Sequence, residues 1–379
     1  MIDVGLDYMK KLGVKPARSF NNVISNFQSN AGKQKADVLA RLLSARGTQQ
    51  NCSENLYDLK NINLQTALTF NCNVDGDIIR KVCNWVYQHK NDFGKRILEV
   101  GCDIGVLSCF LAELFPESHI TAIDINSSGI AIAKQLAEKF NIKNVTFLVQ
   151  DIKEVTDSFD TVFSCRTMHE NYSCIEDPFL MLNDYAALFR ASTSPYAQAL
   201  RTAVAPNGNL ISIERCERNP LFLGWLYALM DNGLYLLADT HEELECNEVG
   251  DKNYFQAIVA DSVSTMDAEQ IYNVYCNTYA AEAQNASFYQ GWIVPVLLQN
   301  SVSKPIVKYE VLDTAGKKMM QYALWELQDD DASIIYHLYN GTYEMSVHDT
   351  KCKSELLAQL EEHSRSFENQ GYRVITERT

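Results

Sequence analysis

Positive charge is in short supply in this 379-residue chain: 33 Lys and Arg stand against 48 Asp and Glu, a net charge of −15 at pH 7 with histidine neutral. No lysine- or arginine-rich run offsets the balance. A surface of that sign repels phosphate backbones and anionic lipids, so nucleic acid is disfavoured as a partner. Long apolar runs are also missing. The longest, Leu221 to Met230, stops at Asp231, well short of the ~20 residues a spanning helix needs, so no membrane role is expected. The opening MIDVGLDYMKK lacks a basic stretch leading into an apolar one, and no secretory signal is expected from it. The eleven cysteines are scattered without a C-x-x-C pair. Neither they nor the histidines, His337, His348 and His363 included, fall at metal-ligand spacing, so no metal is expected. Scattered cysteines suit a reducing compartment, and a soluble, cytoplasmic protein is the expectation.

Enough remains to build a core. Hydrophobic residues make up 46% of the chain and charged ones 21%, ordinary globular usage, and the length suits two or three domains. Residues 1–90 read as a helical lid region, with KQKADVLARLLSA (Lys33–Ala45) and Val74–Lys90 carrying apolar residues at three-and-four spacing. The polar, asparagine-rich stretch between them, residues 51–73, reads as a loop or lid. From Arg96 the period changes to strands alternating with helices. RILEVG, HITAIDI (His119–Ile125), VTFLVQD (Val145–Asp151) and FDTVFSC (Phe159–Cys165) read as strands one to four. Helices are expected at 106–115, 127–140, 177–190 and 196–203, then a strand at Asn209–Arg215 and an apolar helix over Pro220–Asp239. ELECNEVG and KNYFQAIVAD close the unit as a hairpin. Such alternation implies a doubly wound, mostly parallel sheet covered on both faces. Residues 264–304 read as a helical connector, with Tyr272, Tyr275 and Tyr279 at helical spacing, a packing stripe or the seam of a homo-oligomer. Residues 305–379 read as a small α+β module, with hairpin turns at Asp313–Gly316 and Asn340-Gly341.

The chemistry concentrates in RILEVGCDIGVLS, Arg96 to Ser108, a strand running into a glycine turn and a helix. A dinucleotide fingerprint would be G-x-G-x-x-G, which is absent, so a nicotinamide oxidoreductase is disfavoured. The turn instead shows Glu99-Val-Gly101-Cys102-Asp103-Ile-Gly105. With Asp124 ending the second strand, Asp151-Ile152 after the third and Ser164-Cys165-Arg166 ending the fourth, this order resembles the class I S-adenosylmethionine-dependent methyltransferases, whose signature is E/D-x-G-x-G-x-G. The resemblance covers residues 91–263 and implies a Rossmann-like seven-stranded sheet ending in an antiparallel hairpin, with S-adenosylmethionine as cofactor.

Each position has a role under that resemblance. Gly101 lets the backbone approach the methionine part of the cofactor, and Gly105 lets helix pack closely on strand. Asp124, beside Ile125, offers two acceptor oxygens to the ribose diol. Asp151 takes the adenine amino group and Ile152 meets the ring. Glu99 takes the cofactor's ammonium, Cys102 and Asp103 complete the turn, and Cys165 and Arg166 line the far rim. Asp103 departs from the usual glycine, either meeting the ammonium or repelling the methionine carboxylate.

On the acceptor side, His169 and Glu170 follow the fourth strand and loosely resemble the His-Asp-Trp segment in which small-molecule O-methyltransferases carry a base. Tyr172 lies on the same rim, and Tyr57 and Phe70 of the lid are candidate substrate contacts. The helix at Leu221–Leu237 adds Phe222, Trp225, Tyr227 and Tyr235, either core or acceptor wall. The Asn/Asp-Pro-Pro-Tyr/Phe element of base-amine methyltransferases is absent. The expected activity is methyl transfer to O or N of a small, metabolite-like acceptor. Its rivals are methylation of a peptide docked on the C-terminal module, and a cofactor-fold scaffold without turnover.

Overall fold

A computed structural model describes residues 3–45, 52–172, 179–216, 218–280, 287–301, 305–326, 332–339 and 341–379. The chain separates into two compact units, one formed by residues 1–172, 193–217 and 226–267, the other by 173–192, 218–225 and 268–379. The second unit thus takes in two pieces that lie on either side of residues 193–217 in sequence.

The first unit begins with five helices, α1 (Val4–Leu12), α2 (Phe20–Ala31), α3 (Lys33–Ala45), α4 (Cys52–Lys60) and α5 (Leu64–Gln88). Residues 52–73, expected as a loop, are therefore mostly helical. Asparagine has modest helix propensity because its side chain competes for the backbone, but here tertiary partners occupy those side chains. Asn63 caps α5 by accepting the Thr66 N–H at 2.9 Å. Asn73 donates to the Lys15 carbonyl at 2.7 Å and accepts from Asn26 at 2.8 Å. Two aromatics, Phe27 and Phe70, meet edge to face at 6.2 Å in a small core among α2, α3, α4 and α5.

The sheet follows: β1 (Arg96–Val100), α6 (Val106–Leu114), β2 (His119–Asp124), α7 (Ser127–Lys139), β3 (Val145–Val149), β4 (Phe159–Cys165), α8 (Leu182–Ala203), β5 (Val204–Glu214), α9 (Pro220–Asp231), β6 (Tyr235–Leu236), β7 (Glu242–Glu248) and β8 (Asp251–Asp261). Its order is β3-β2-β1-β4-β5-β8-β6, with β7 also on β8. The first five strands run parallel, and β8 pairs antiparallel with β5. This is the doubly wound sheet with an antiparallel hairpin that the strand pattern implies. It has eight strands rather than seven because two segments share the outer edge of β8, β7 along Asp251–Ala257 and β6 along Ala260–Asp261. The expected helix over Pro220–Asp239 ends at Asp231, where Gly233 turns the chain at φ +73°. The two helices expected across 177–203 form one, α8, which continues through Pro195; Asp177 lies outside the described residues.

In the second unit, α10 (Ala268–Asn277), β9 (Phe288–Gln290) and α11 (Ile293–Ser301) replace the continuous helix expected over 264–300. There follow β10 (Pro305–Leu312), β11 (Lys318–Glu326), β12 (Ala332–Tyr339), β13 (Thr342–Asp349), α12 (Lys353–Asn369) and β14 (Arg373–Arg378). They make an antiparallel sheet ordered β14-β10-β11-β12-β13-β9, with α12 packing Leu356 and Leu360 against Tyr309 and Tyr322. Asn340 of the second hairpin turn lies outside the described residues, and β12 pairs with β13 on either side of it. Among the described residues no helix is long and apolar enough to cross a membrane.

Gly105 shows how tightly α6 and α7 close on the sheet. Its φ is +73°, and a Cβ there would lie 2.8 Å from the Ala133 Cβ and 2.9 Å from the Phe147 ring. Both the backbone sign and the packing oppose a side chain. Urea denaturation of Gly105→Ala is expected to show a loss of about 2 kcal/mol or more; an unchanged midpoint would mean that the helix can withdraw from the sheet without cost.

Candidate active site

A cavity of about 560 Å³ opens in the first unit where β1, β2 and β4 end. Its lining divides by chemistry. Phe20, Val23, Leu43, Leu56, Phe70 and Val74 of the N-terminal helices supply an apolar part, while Glu99, Asp103, Asp124, Arg166, His169 and Glu170 supply a charged one.

The turn after β1 is held by main-chain bonds: the N–H groups of Gly101 and Cys102 both donate to the Ile123 carbonyl, at 2.9 and 3.0 Å. Gly101 has φ +72°, and a Cβ there would fall 1.9 Å from the Thr167 methyl. The glycine therefore also makes room for the segment after β4. Asp103 adopts φ +44°, a left-handed conformation that Asp and Asn tolerate better than most side chains. Its N–H donates to Asp124 Oδ2 at 2.8 Å, and the Asn126 N–H donates to Asp124 Oδ1 at 2.8 Å. Each Asp124 oxygen keeps acceptor capacity beyond those bonds. Burial raises the Asp124 pKa, against the two amide bonds that favour the anion. The Asp103 carboxylate is paired with Lys60 Nζ at 2.5 Å and receives Asn71 Nδ2 at 3.4 Å.

Two deeper carboxylates brace this arrangement. Glu99, 3% exposed, accepts a hydrogen bond from the Ser108 hydroxyl. Burial pushes its pKa up to about 7 despite that bond. Glu214, fully buried at the end of β5, accepts from the Ser164 hydroxyl at 2.5 Å and from the N–H groups of Thr167 and Met168 at 3.0 and 3.1 Å. Burial raises it to about 7 as well, opposed by those donors. Glu214 thereby shapes the loop that carries His169 and Glu170.

On that loop Arg166, at φ +62°, places Nη1 2.8 Å from Asp75 and Nη2 3.7 Å from Glu248. Burial opposes its charge, but the two acids more than offset this and raise its pKa. His169 and Glu170 sit on a single 3₁₀ turn and both line the cavity. Glu170 accepts from the Tyr57 hydroxyl at 2.8 Å.

The cavity thus gathers Glu99, Gly101, Cys102, Asp103, Asp124, Ile125, Cys165, Arg166, His169, Glu170, Tyr57 and Phe70. Gly105, Asp151, Ile152, Tyr172 and Trp225 are not among its lining residues. Gly105 starts α6, Asp151 caps a short turn through the Lys153 N–H at 2.9 Å, and Ile152 is buried. Trp225 is buried, as are Phe222, Tyr275 and Tyr279. Lys60, Asn71, Asp75 and Glu214 were not anticipated. Glu214 had a signal, a carboxylate ending an otherwise buried strand; the other three come from helices whose approach no local pattern encodes.

The two raised glutamates set a pH dependence. A carboxyl with pKa about 7 folded and about 4.3 unfolded contributes stability that is complete below the unfolded value and lost as pH rises through 7. The ligand-free protein should therefore lose melting temperature between about pH 5 and 8, and Glu99→Gln, which keeps an acceptor for Ser108, should flatten part of that fall. A slope identical to wild type would show that Glu99 does not titrate there.

Comparison with known proteins adds to this geometry. A family model described as a methyltransferase domain matches residues 91–274. A malonyl-[acyl-carrier protein] O-methyltransferase of Bacillus cereus is 46% identical over 74 residues, covering 19% of this chain and 26% of the relative. A ubiquinone biosynthesis O-methyltransferase of Erwinia tasmaniensis is 28% identical over 108 residues, 28% of this chain and 43% of the relative. Among solved structures, the magnesium protoporphyrin IX methyltransferase of Synechocystis with bound S-adenosylmethionine gives a TM-score of 0.37 at 19% identity, covering 49% of this chain and 82% of that one. The chain spans about a quarter of the length of the first curated relatives it matches. Residues 91–274 thus match a methyltransferase domain, over the stretch whose motifs resemble the class I, S-adenosylmethionine-dependent family.

Proposed function

We propose that the protein methylates oxygen or nitrogen of a small acceptor with an apolar body, inside the cavity described above. The observation that carries this reading is the divided lining: an acid-tipped half around the glycine turn and an apolar half from α2, α3, α4 and α5 in one space. The charged half fits S-adenosylmethionine. Asp124 offers two oxygens to a diol, Glu99 lies where an ammonium would offset a buried anion, and Gly101 puts no side chain of its own into the lining. The bound cofactor supplies a methyl group already activated by its sulfonium.

The chain's own residues then have three tasks. The apolar half fixes the acceptor and excludes water, which accounts for most of the rate enhancement expected of a positioned displacement. His169 takes the proton from an attacking hydroxyl, or from an ammonium so that the free amine attacks. Glu214 keeps His169 in place by holding the N–H groups of the residues just before it. Relatives named as O-methyltransferases of malonyl-[acyl-carrier protein], of fatty acids and of ubiquinone biosynthesis favour oxygen over nitrogen. The net charge of −15 speaks against a nucleic-acid acceptor.

Calorimetry with S-adenosylhomocysteine should show binding that strengthens as pH rises through about 7, because ionised Glu99 attracts the ligand's ammonium; Glu99→Gln should abolish that dependence. Absence of binding at every pH would remove the reading. Once an acceptor is found by release of S-adenosylhomocysteine from a metabolite pool, His169→Ala should lower kcat by roughly 10²–10⁴ with an unchanged circular-dichroism spectrum. Unaltered turnover would exclude His169 as the base.

A further inference from the structure

The methyltransferase reading leaves Lys60 unexplained. Its side chain is only 8% exposed, although it ends an amphipathic helix from which a lysine ordinarily extends into water. It lines the cavity. Its ammonium meets Asp103 at 2.5 Å and lies 4.5 Å from the centroid of the Tyr57 ring. Residues on both sides are fixed to the same neighbourhood: Tyr57 bonds Glu170 at 2.8 Å, and Asn61 Nδ2 donates to Ser128 Oγ, on the first residues of α7, at 3.2 Å. The end of α4 is thus laid along the glycine turn with a buried cation at its tip.

The charge pattern says what that cation is for. Glu99, Asp103, Asp124 and Glu170 all line the cavity, and such a set repels any ligand carboxylate. The cavity lining offers two described cations near the turn, Lys60 and Arg166. Arg166 already lies between two acids, Asp75 and Glu248. Lys60 is paired with one carboxylate, and an ammonium has three donors to place. Asp103 thus carries the cation rather than spoiling the turn: its carboxylate, steadied by Asn71 on the same oxygen, fixes the lysine where the cofactor's amino-acid end must lie.

Resting on the reading above, we propose that Lys60 recognises the carboxylate of the cofactor's methionine part, with Asp103 as its positioning counter-ion. Calorimetry on the full chain tests this with three thioether ligands: S-adenosylhomocysteine, its decarboxylated form 5′-deoxy-5′-(3-aminopropylthio)adenosine, which keeps the ammonium without the carboxylate, and 5′-methylthioadenosine, which has neither charge. Wild type should bind S-adenosylhomocysteine more tightly than the decarboxylated compound. Lys60→Met should weaken S-adenosylhomocysteine by about tenfold or more, a typical loss for a charge-assisted bond, and shift the other two by less than about threefold. Lys60→Arg should restore much of the difference. Equal weakening of all three would overturn the inference, since Lys60 would then only anchor α4; so would unchanged S-adenosylhomocysteine affinity in Lys60→Met. Equal wild-type affinity for the carboxylated and decarboxylated ligands would overturn it without any variant, even if Lys60→Met fails to fold. Wild type binding none of the three would instead overturn the methyltransferase reading itself, and the inference with it.

Discussion

The bridging of two backbone amides by the Asp124 carboxylate is the interaction around which the site is organised. One oxygen takes the Asp103 N–H in the turn after β1, the other the Asn126 N–H at the start of α7. A single side chain at a strand end thus ties the start of the helix that follows it to a turn 21 residues upstream. Because each oxygen retains acceptor capacity, the tie also leaves a two-oxygen face for a ligand. Shortening this side chain would therefore disturb the turn and that two-oxygen face together.

A second theme is the cost of burying so much negative charge. Glu99 and Glu214 are fully buried, and both are pushed toward neutrality by desolvation. Their hydrogen-bond donors, the Ser108 and Ser164 hydroxyls and the Thr167 and Met168 amides, partly offset that cost. Lys60 and Arg166 offset three further acids, Asp103 for one and Asp75 with Glu248 for the other. The net charge of the whole chain is strongly negative, yet cations have been drawn from two separate elements to the one place where acids crowd.

The N-terminal helices supply Lys60 to one of those ion pairs and Asp75 to another, and with them the apolar half of the cavity. Lys60 lies within an asparagine-rich stretch that by composition reads as a loop. What makes it helical is that its polar side chains have partners across the unit, Asn71 with Asp103 and Asn73 with Lys15 and Asn26. Intrinsic propensity yields to tertiary hydrogen bonds here, as it does where packing or partner contacts are strong.

What could be read from the chain alone was the part governed by local rules. Alternating strands and helices imply a doubly wound sheet, two glycines separated by three residues after a strand imply the tight turn, and an acid ending the second strand is expected at the ligand edge. The same rules placed Glu99, Asp103, Asp124, Arg166 and His169 near one another, since all sit at the ends of adjacent parallel strands. Tertiary structure alone decided which charges meet. Lys60 is 43 residues from Asp103, Asp75 lies on a different element from Arg166, and Glu214 reaches a loop 46 and 47 residues away. It also consigned Trp225 to the core, beyond the cavity lining. Periodicity records which face of an element is buried, but not which neighbour that face will find, because that choice depends on the packing of the whole chain.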